Sequence, residues 1–289
     1  MKKVLLATSA LALSAGVAYA EVSISGDARM GLQYDSTTGD TRIEKRMNVN
    51  VRGTVETSSG LTFGAHTRMR SNEAGGPTGF NGARVYMQVA GFEVAMGNIY
   101  GAIDSMPNLY HSELGLTYLG AGDVATVSYD GYSSNGNGAE GVEVMYSAGA
   151  FSGHVSYSEP TLSSGASTAK RAAVHVAYTM NDWTVALGHQ KSSVAAEKLT
   201  VVTVAGNIGD YGVGFSAADN AGVTKITLAG SATFGATGVQ AFVSDEEGAA
   251  DMAFGLGVSY DLGGAEVRAG VQRDQVGETQ ADLGVAFKF

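Results

Sequence analysis

The chain has 289 residues, with 18 Lys and Arg against 28 Asp and Glu, 41 Gly, three Pro and no Cys. The acidic excess disfavours nucleic acid, whose phosphates need clustered cations, and the lack of thiols excludes a disulfide-stapled domain, thiol chemistry and Cys-ligated zinc. After the first twenty residues, no stretch offers the roughly 20 continuous apolar residues of a spanning helix, so any membrane crossing has to be made by strands.

Lys2 and Lys3 precede an apolar run from Val4 to Ala18, and Ala18-Tyr19-Ala20 is a small-x-small cleavage pattern. Residues 1–20 therefore read as a secretory signal and 21–289 as the mature chain, beginning at Glu21. Strand-like runs follow at 22–34, 42–57, 60–71, 81–90, 92–98, 140–148, 150–158 and 170–180. They continue at 182–191, 197–206, 210–218, 223–234, 237–245, 250–261, 265–273 and 279–289, sixteen in all. The long connection 99–139 contains a further strand-like run, Val124 to Tyr129, which leaves a count of eighteen arithmetically open.

Within these runs polar and apolar residues keep to opposite parities. Leu61, Phe63, Ala65, Thr67 and Met69 alternate with Thr62, Gly64, His66, Arg68 and Arg70, and the pattern recurs in Ala83, Val85, Met87 and Val89 against Arg84, Tyr86 and Gln88. Met252, Phe254, Leu256, Val258 and Tyr260 repeat it with small residues between them. Successive strand side chains point to opposite faces, so each run can show lipid one face and water the other. Short turns at Thr57–Gly60, Ala90–Phe92, Ala148–Ala150, Met180–Asp182, Gly235–Thr237 and Leu262–Gly264 interleave with longer Ser, Gly, Asn and Asp-rich connections. That rhythm suits the short periplasmic turns and longer external loops of outer-membrane barrels.

Aromatics of the apolar parity gather at the short-turn end: Phe63, Phe92, Tyr146, Phe151, Tyr178, Trp183, Tyr211, Phe234, Tyr260 and Phe289. A girdle of this kind belongs where amphipathic rings meet lipid headgroups. The last run sets Leu283, Val285, Phe287 and Phe289 on one parity and ends the chain on Phe, resembling an outer-membrane assembly signal. The expected fold is all-β, a transmembrane antiparallel barrel of 16 strands.

The chain resembles a general-diffusion outer-membrane porin of the Rhodobacter-like alphaproteobacterial type. The resemblance runs from Glu21 to Phe289 and rests on patterns spread along it. These are Glu21-Val-Ser-Ile-Ser-Gly26 to Gly31-Leu-Gln-Tyr34, Gly53-Thr-Val-Glu-Thr57 to Gly60-Leu-Thr-Phe-Gly64, Gly97-Asn98 with Asp104-Ser105 and Ser112-Glu113, and Gly284 to Phe289. It implies a homotrimer, sixteen strands rather than eighteen, and a third loop, 99–139, folded into the lumen and narrowing it. It also implies an arginine cluster on the wall facing carboxylates on that loop.

On the inward parity the first four runs carry Arg29, Arg46, His66, Arg68, Arg70 and Arg84, the candidate basic side of a constriction, with Arg52 nearer a turn. The loop carries Asp104, Glu113 and Asp123, the candidate acidic side, and also Asp130. Inward polarity alone demands only hydrophilic residues, so each arginine could equally form a salt bridge within the wall. Asp104 and Glu113 are also weak calcium candidates, because hard cations prefer several oxygen ligands; no cofactor is otherwise required. Lys45 and Lys170, at the external ends of their runs on the lipid parity, could meet lipopolysaccharide phosphates.

Gly136-Asn-Gly138-Ala-Glu-Gly141 matches a dinucleotide fingerprint in letters, but a strand follows where that motif needs a helix. The five His are scattered, with neither His-Glu-x-x-His nor Gly-x-Ser-x-Gly, so no enzyme is expected. The leading expectation is an outer-membrane pore for passive diffusion of small hydrophilic solutes and ions, embedded among lipid and lipopolysaccharide. A substrate-selective barrel for an anion or sugar is the second; inward aromatics, Tyr86 and Phe242, are few for a sugar track. A surface β-sandwich adhesin, with its apolar parity buried between sheets, is the third.

Overall fold

The computed structural model describes residues 19–72, 79–134, 136, 138–162 and 169–289. The expected leader falls outside the described residues as far as residue 18. Sixteen strands follow in chain order: β1 (Tyr19–Asp35), β2 (Asp40–Glu56), β3 (Thr62–Asn72), β4 (Arg84–Val89), β5 (Phe92–Asn98), β6 (Glu140–Ala148), β7 (Phe151–Ser158) and β8 (Arg171–Met180). The second half comprises β9 (Trp183–Ser192), β10 (Leu199–Ile208), β11 (Tyr211–Asn220), β12 (Val223–Phe234), β13 (Thr237–Glu246), β14 (Ala253–Asp261), β15 (Ala265–Arg273) and β16 (Thr279–Lys288). Each pairs antiparallel with its chain neighbours, and β1 pairs with β16 through Met30 and Val285 to close the ring. Closure removes every sheet edge, the condition a strand structure must meet in lipid.

The sidedness follows the two-residue period. Phe63, Leu256 and Phe287 are 41%, 48% and 39% exposed, whereas His66, Arg84 and Tyr86 on the alternate parity are buried. A β-sandwich would bury the first set, so this placement removes the adhesin reading. The girdle survives as well: Phe92 packs against Tyr146 with ring centroids 4.2 Å apart, Phe151 lies opposite Tyr178, and Tyr211, Phe234 and Tyr260 are exposed.

The seam shows why small residues begin β1. Gly26 exchanges both backbone hydrogen bonds with Phe289, and a Cβ on Gly26 would sit 2.5 Å from the Phe289 ring. The terminal aromatic therefore covers the glycine of the first strand.

Three connections depart from the expected rhythm. β11 and β12 are joined by Ala221 and Gly222 alone, with φ of 57° and 99°, the left-handed pair of a two-residue hairpin, although a longer connection is expected on that side. The run expected from 81 begins as β4 only at Arg84. His66 pairs with Arg84 and Met69 with Phe80, so two residues oppose three and the strand bulges. Asn81 fills the bulge, its side-chain oxygen accepting from the Arg68 amide at 2.7 Å and the Thr67 hydroxyl at 3.0 Å. Finally, Val124 to Tyr129 forms no strand. Side chains of the wall substitute for a ladder: Asn220 accepts from Thr126 N and donates to Val124 O, and Gln190 donates to Ser128 O.

Candidate functional site

The segment 99–139 leaves β5 at Gly97-Asn98. Gly97 has φ +98°, and a side chain there would collide with Ala83 O at 2.2 Å. Asn98, wholly buried, donates to Gly82 O and Ser133 O and accepts from Ser133 N, binding the two ends of the segment together. Below this knot, Glu143 of β6 accepts from Tyr100 N and Gly101 N at 3.2 and 3.1 Å, from Arg84 Nε at 2.6 Å and from His154 Nε2 at 3.0 Å.

From that anchor the segment crosses to the opposite strands. One flank is dry: Ile103, Met106, Leu109 and Val124 pack against Ala173, Ala177, Ala186, Leu199, Val201 and Ala218 on the inner face of β8 to β11. The other flank ends in a tight tip, where Leu114 and Leu119 form a two-way bridge around Gly115–Tyr118. Asp282 of β16 accepts from Leu116 N, Thr117 N and Thr117 Oγ1 at 2.9, 2.7 and 2.6 Å. Arg29 donates to Leu116 O at 3.1 Å, and the Leu116 side chain fills the space above Gly31 and Gly284.

The candidate basic residues divide into two groups. Arg29 pairs with Glu44 at 2.6 Å and is buried. Arg84 is 1% exposed, bonded to both Glu143 and Glu93 and covered by the Tyr100 ring at 4.0 Å; it is a clamp within the wall, not an open surface charge. Arg68 and Arg70, by contrast, are held by neutral amides. Asn50 Oδ1 accepts from Arg68 Nε at 3.1 Å and Asn48 Oδ1 from Arg70 Nε at 2.8 Å, as the β2–β3 register dictates. Among the described residues neither has a carboxylate within ion-pairing distance. His66 stacks on Tyr132 at 4.9 Å, and Tyr132 also lies under Arg68 at 4.9 Å. Arg29, Arg46, Arg68 and Arg70 together line a cavity of about 750 Å³ bounded opposite by Leu116, Tyr118, Glu266 and Arg268.

The candidate acidic residues converge too. Asp104 accepts from the Tyr110 hydroxyl, which contacts Tyr129 at 2.9 Å, and Asp123 accepts from Ser112 at 3.2 Å. Burial, then the charges of Asp123 and Asp104, push the Glu113 carboxyl up to about 8. Burial likewise raises Asp123 to about 6, against the pull of the Ser112 bond and Lys225, and raises Asp104 above the usual carboxylate range. Asp130 lies apart, bonded to Ser158 and Arg171. Among the described residues no group of three or more His, Asp or Glu side chains is arranged to hold a metal ion.

A model of the family described as Gram-negative porin matches residues 7–289. The chain belongs to that family. Porins of Fuscovulum blasticum and Rhodobacter capsulatus are 34% and 32% identical to it, over 93% of this chain and 100% of theirs. Solved structures of engineered variants of the Rhodopseudomonas blastica porin superpose with a TM-score of 0.85 at 32% identity, with the same coverage of both chains. This porin is accordingly an integral β-barrel of the outer membrane and a channel rather than an enzyme.

One arrangement in this porin imitates catalytic machinery. Ser105 Oγ, His154 and Glu143 stand in line at 2.7 and 3.0 Å. Ser105 also donates to Gly101 O at 2.6 Å, and a carbonyl can only accept. With its one proton committed there, Ser105 lacks the hydroxyl-to-imidazole bond that a nucleophilic triad needs; the row ties the segment to β7.

Sequence reading missed Asp282, Glu44, Glu143 and Tyr118. The signal for the first three was available, because each is a carboxylate on the inward parity of a strand. Lys170 pairs with Glu159 at 2.7 Å while remaining largely exposed, so its first partner lies in its own chain.

Proposed function

We propose that this porin is a passive pore for small hydrophilic solutes and ions, narrowed by 99–139, with a charged constriction. Arg68 and Arg70, with Arg46, Arg29 and His66 behind them, form its basic side; Asp104, Glu113 and Asp123 form its acidic side. Arg84 belongs to the scaffold beneath. The observation that carries this reading is the pair Arg68 and Arg70, which have no carboxylate within ion-pairing distance among the described residues, beside an open cavity. Two opposite charges about 10 Å apart interact by only ~0.4 kcal/mol in water, but several on each side, between low-dielectric walls, sum to a potential of several kT. Such a field orients polar solutes and sets ion preference without tight binding, which conduction requires.

The functional unit is read as a homotrimer in lipid and lipopolysaccharide, working without a resident metal. Reconstitution into planar bilayers with a salt gradient tests the pore: absence of conductance sinks it. Arg68→Glu with Arg70→Glu tests the constriction. The reversal potential should move toward cation preference, and an unmoved potential refutes the assignment. Conductance unchanged by a chelator is the expected result for a site without resident calcium.

A further inference from the structure

Tyr118 is the feature of the loop tip that anchoring does not explain. Its neighbours Leu114, Leu116 and Leu119 are at most 3% exposed, yet Tyr118 is 49% exposed. Its φ is +61°, in the left-handed region that bulky residues rarely adopt, and strain of this kind persists only where surrounding contacts over-determine it. Those contacts are the Leu114–Leu119 bridge and the three bonds to Asp282. The ring is thus presented rigidly into the lumen. It lines both the 750 Å³ cavity of the arginines and a neighbouring cavity of about 330 Å³, each within the roughly 300–1,000 Å³ range of small-molecule sites. Arg268 donates to its hydroxyl at 3.2 Å, and the guanidinium carbons of Arg29 and Arg268 stand 5.8 and 5.6 Å from the ring centroid.

A fixed, exposed aromatic ring sharing a cavity with two guanidinium groups that have no carboxylate within ion-pairing distance among the described residues matches a solute that combines a flat π face with an anion. We propose that Tyr118 is a specificity-determining residue for aromatic carboxylates. The solute ring stacks on Tyr118 while the carboxylate reaches Arg68 or Arg70, slowing such solutes relative to aliphatic anions of equal charge and size. This rests on the pore reading, and the test separates the two. Stacked aromatic pairs gain affinity beyond area burial, and a preference of about fivefold is the scale to expect.

Ion current through the reconstituted porin in potassium chloride is titrated with benzoate and with cyclohexanecarboxylate. Benzoate should reduce the current at about fivefold lower concentration. Tyr118→Phe should keep that ratio and Tyr118→Leu should bring it to one. Equal potency of the two anions on the wild-type porin, a ratio that survives Tyr118→Leu, or a reduction by a neutral hexose in place of benzoate would each overturn the proposal. Failure of the wild-type porin to conduct in potassium chloride would instead sink the pore reading.

Discussion

Asp282→Ala should release the tip of 99–139 while leaving the barrel closed. The carboxylate is buried and accepts three bonds, two of them from backbone amides that have no other acceptor at the tip. Hydrogen bonds to a charged group contribute ~1.5–3 kcal/mol each. Because the freed amides can reach water once the tip lifts, we count only the two backbone bonds at the lower figure, about 3 kcal/mol. At 1.4 kcal/mol per decade, the lifted population should rise about 100-fold. The chain has no Cys, so Leu116→Cys supplies a single thiol at a wholly buried position in the Gly31–Gly284 slot. Thiol labelling of Leu116→Cys with Asp282→Ala should run about 100-fold faster than labelling of Leu116→Cys alone, provided lifting is fast relative to labelling. Single-channel current should become noisier at the same time. Equal labelling rates with quiet current would show that the tip is held by packing alone, and the weight given to Asp282 would be wrong.

Arg84→Met should leave Glu143 buried, and Glu93 half-buried, without their cation and lower stability in detergent by about 3–5 kcal/mol, measured by denaturant unfolding; adding Glu143→Gln should recover part of the loss. Glu113 carries a sign that can be checked. Its folded value of about 8 exceeds its ordinary 4.5, so its contribution is complete below about 4.5, falls as pH rises, and is lost above about 8. Glu113→Gln should flatten that part of the stability profile, and a profile rising with pH in the wild type would contradict it. Gly26→Val should disturb the seam, since a Cβ there meets the Phe289 ring at 2.5 Å and Asn48 O at 2.7 Å; overpacking of ~1–3 kcal/mol should show as a lower thermal midpoint.

The strands were legible because a two-residue period is a local property, and all sixteen begin within about three residues of the expected position even though no partner strand was known. β4 starts three residues late for a reason that only pairing reveals: the bulge at Asn81 depends on its register with β3 and on Ser133, which lies far away in sequence. The same limit separates the arginines. Parity places Arg29, Arg68, Arg70 and Arg84 on one face, but which of them meets a carboxylate depends on register across two or more strands. Arg84 reaches past the small Ala95, which stands opposite Tyr86, to Glu143 on the next strand. Arg68 and Arg70 find Asn50 and Asn48 because those are their cross-strand partners.

Equating the inward parity with water was too simple for β8 to β11. Ala173, Ala177, Ala186, Leu199, Val201 and Ala218 are inward and dry because 99–139 covers them. The four alanines among them are the sequence signal, since an inner wall rich in alanine leaves room for another layer of chain whereas a wall of arginine needs solvent. The inner surface is therefore divided. β8 to β11 carry the segment on an apolar bed, Asp282 and Arg29 catch its tip at the β16–β1 seam, and β2 and β3 keep their cations toward the remaining cavity. To move as a lid, the segment would have to break the apolar packing and the tip bonds together, so opening by displacement is costly. A change of charge at Glu113 and Asp123 needs no such motion. Titration between about 6 and 8, the values to which burial raises these two groups, should therefore alter ion preference more than single-channel conductance. If conductance changed severalfold over that interval while reversal potential stayed fixed, the segment would have to be moving after all.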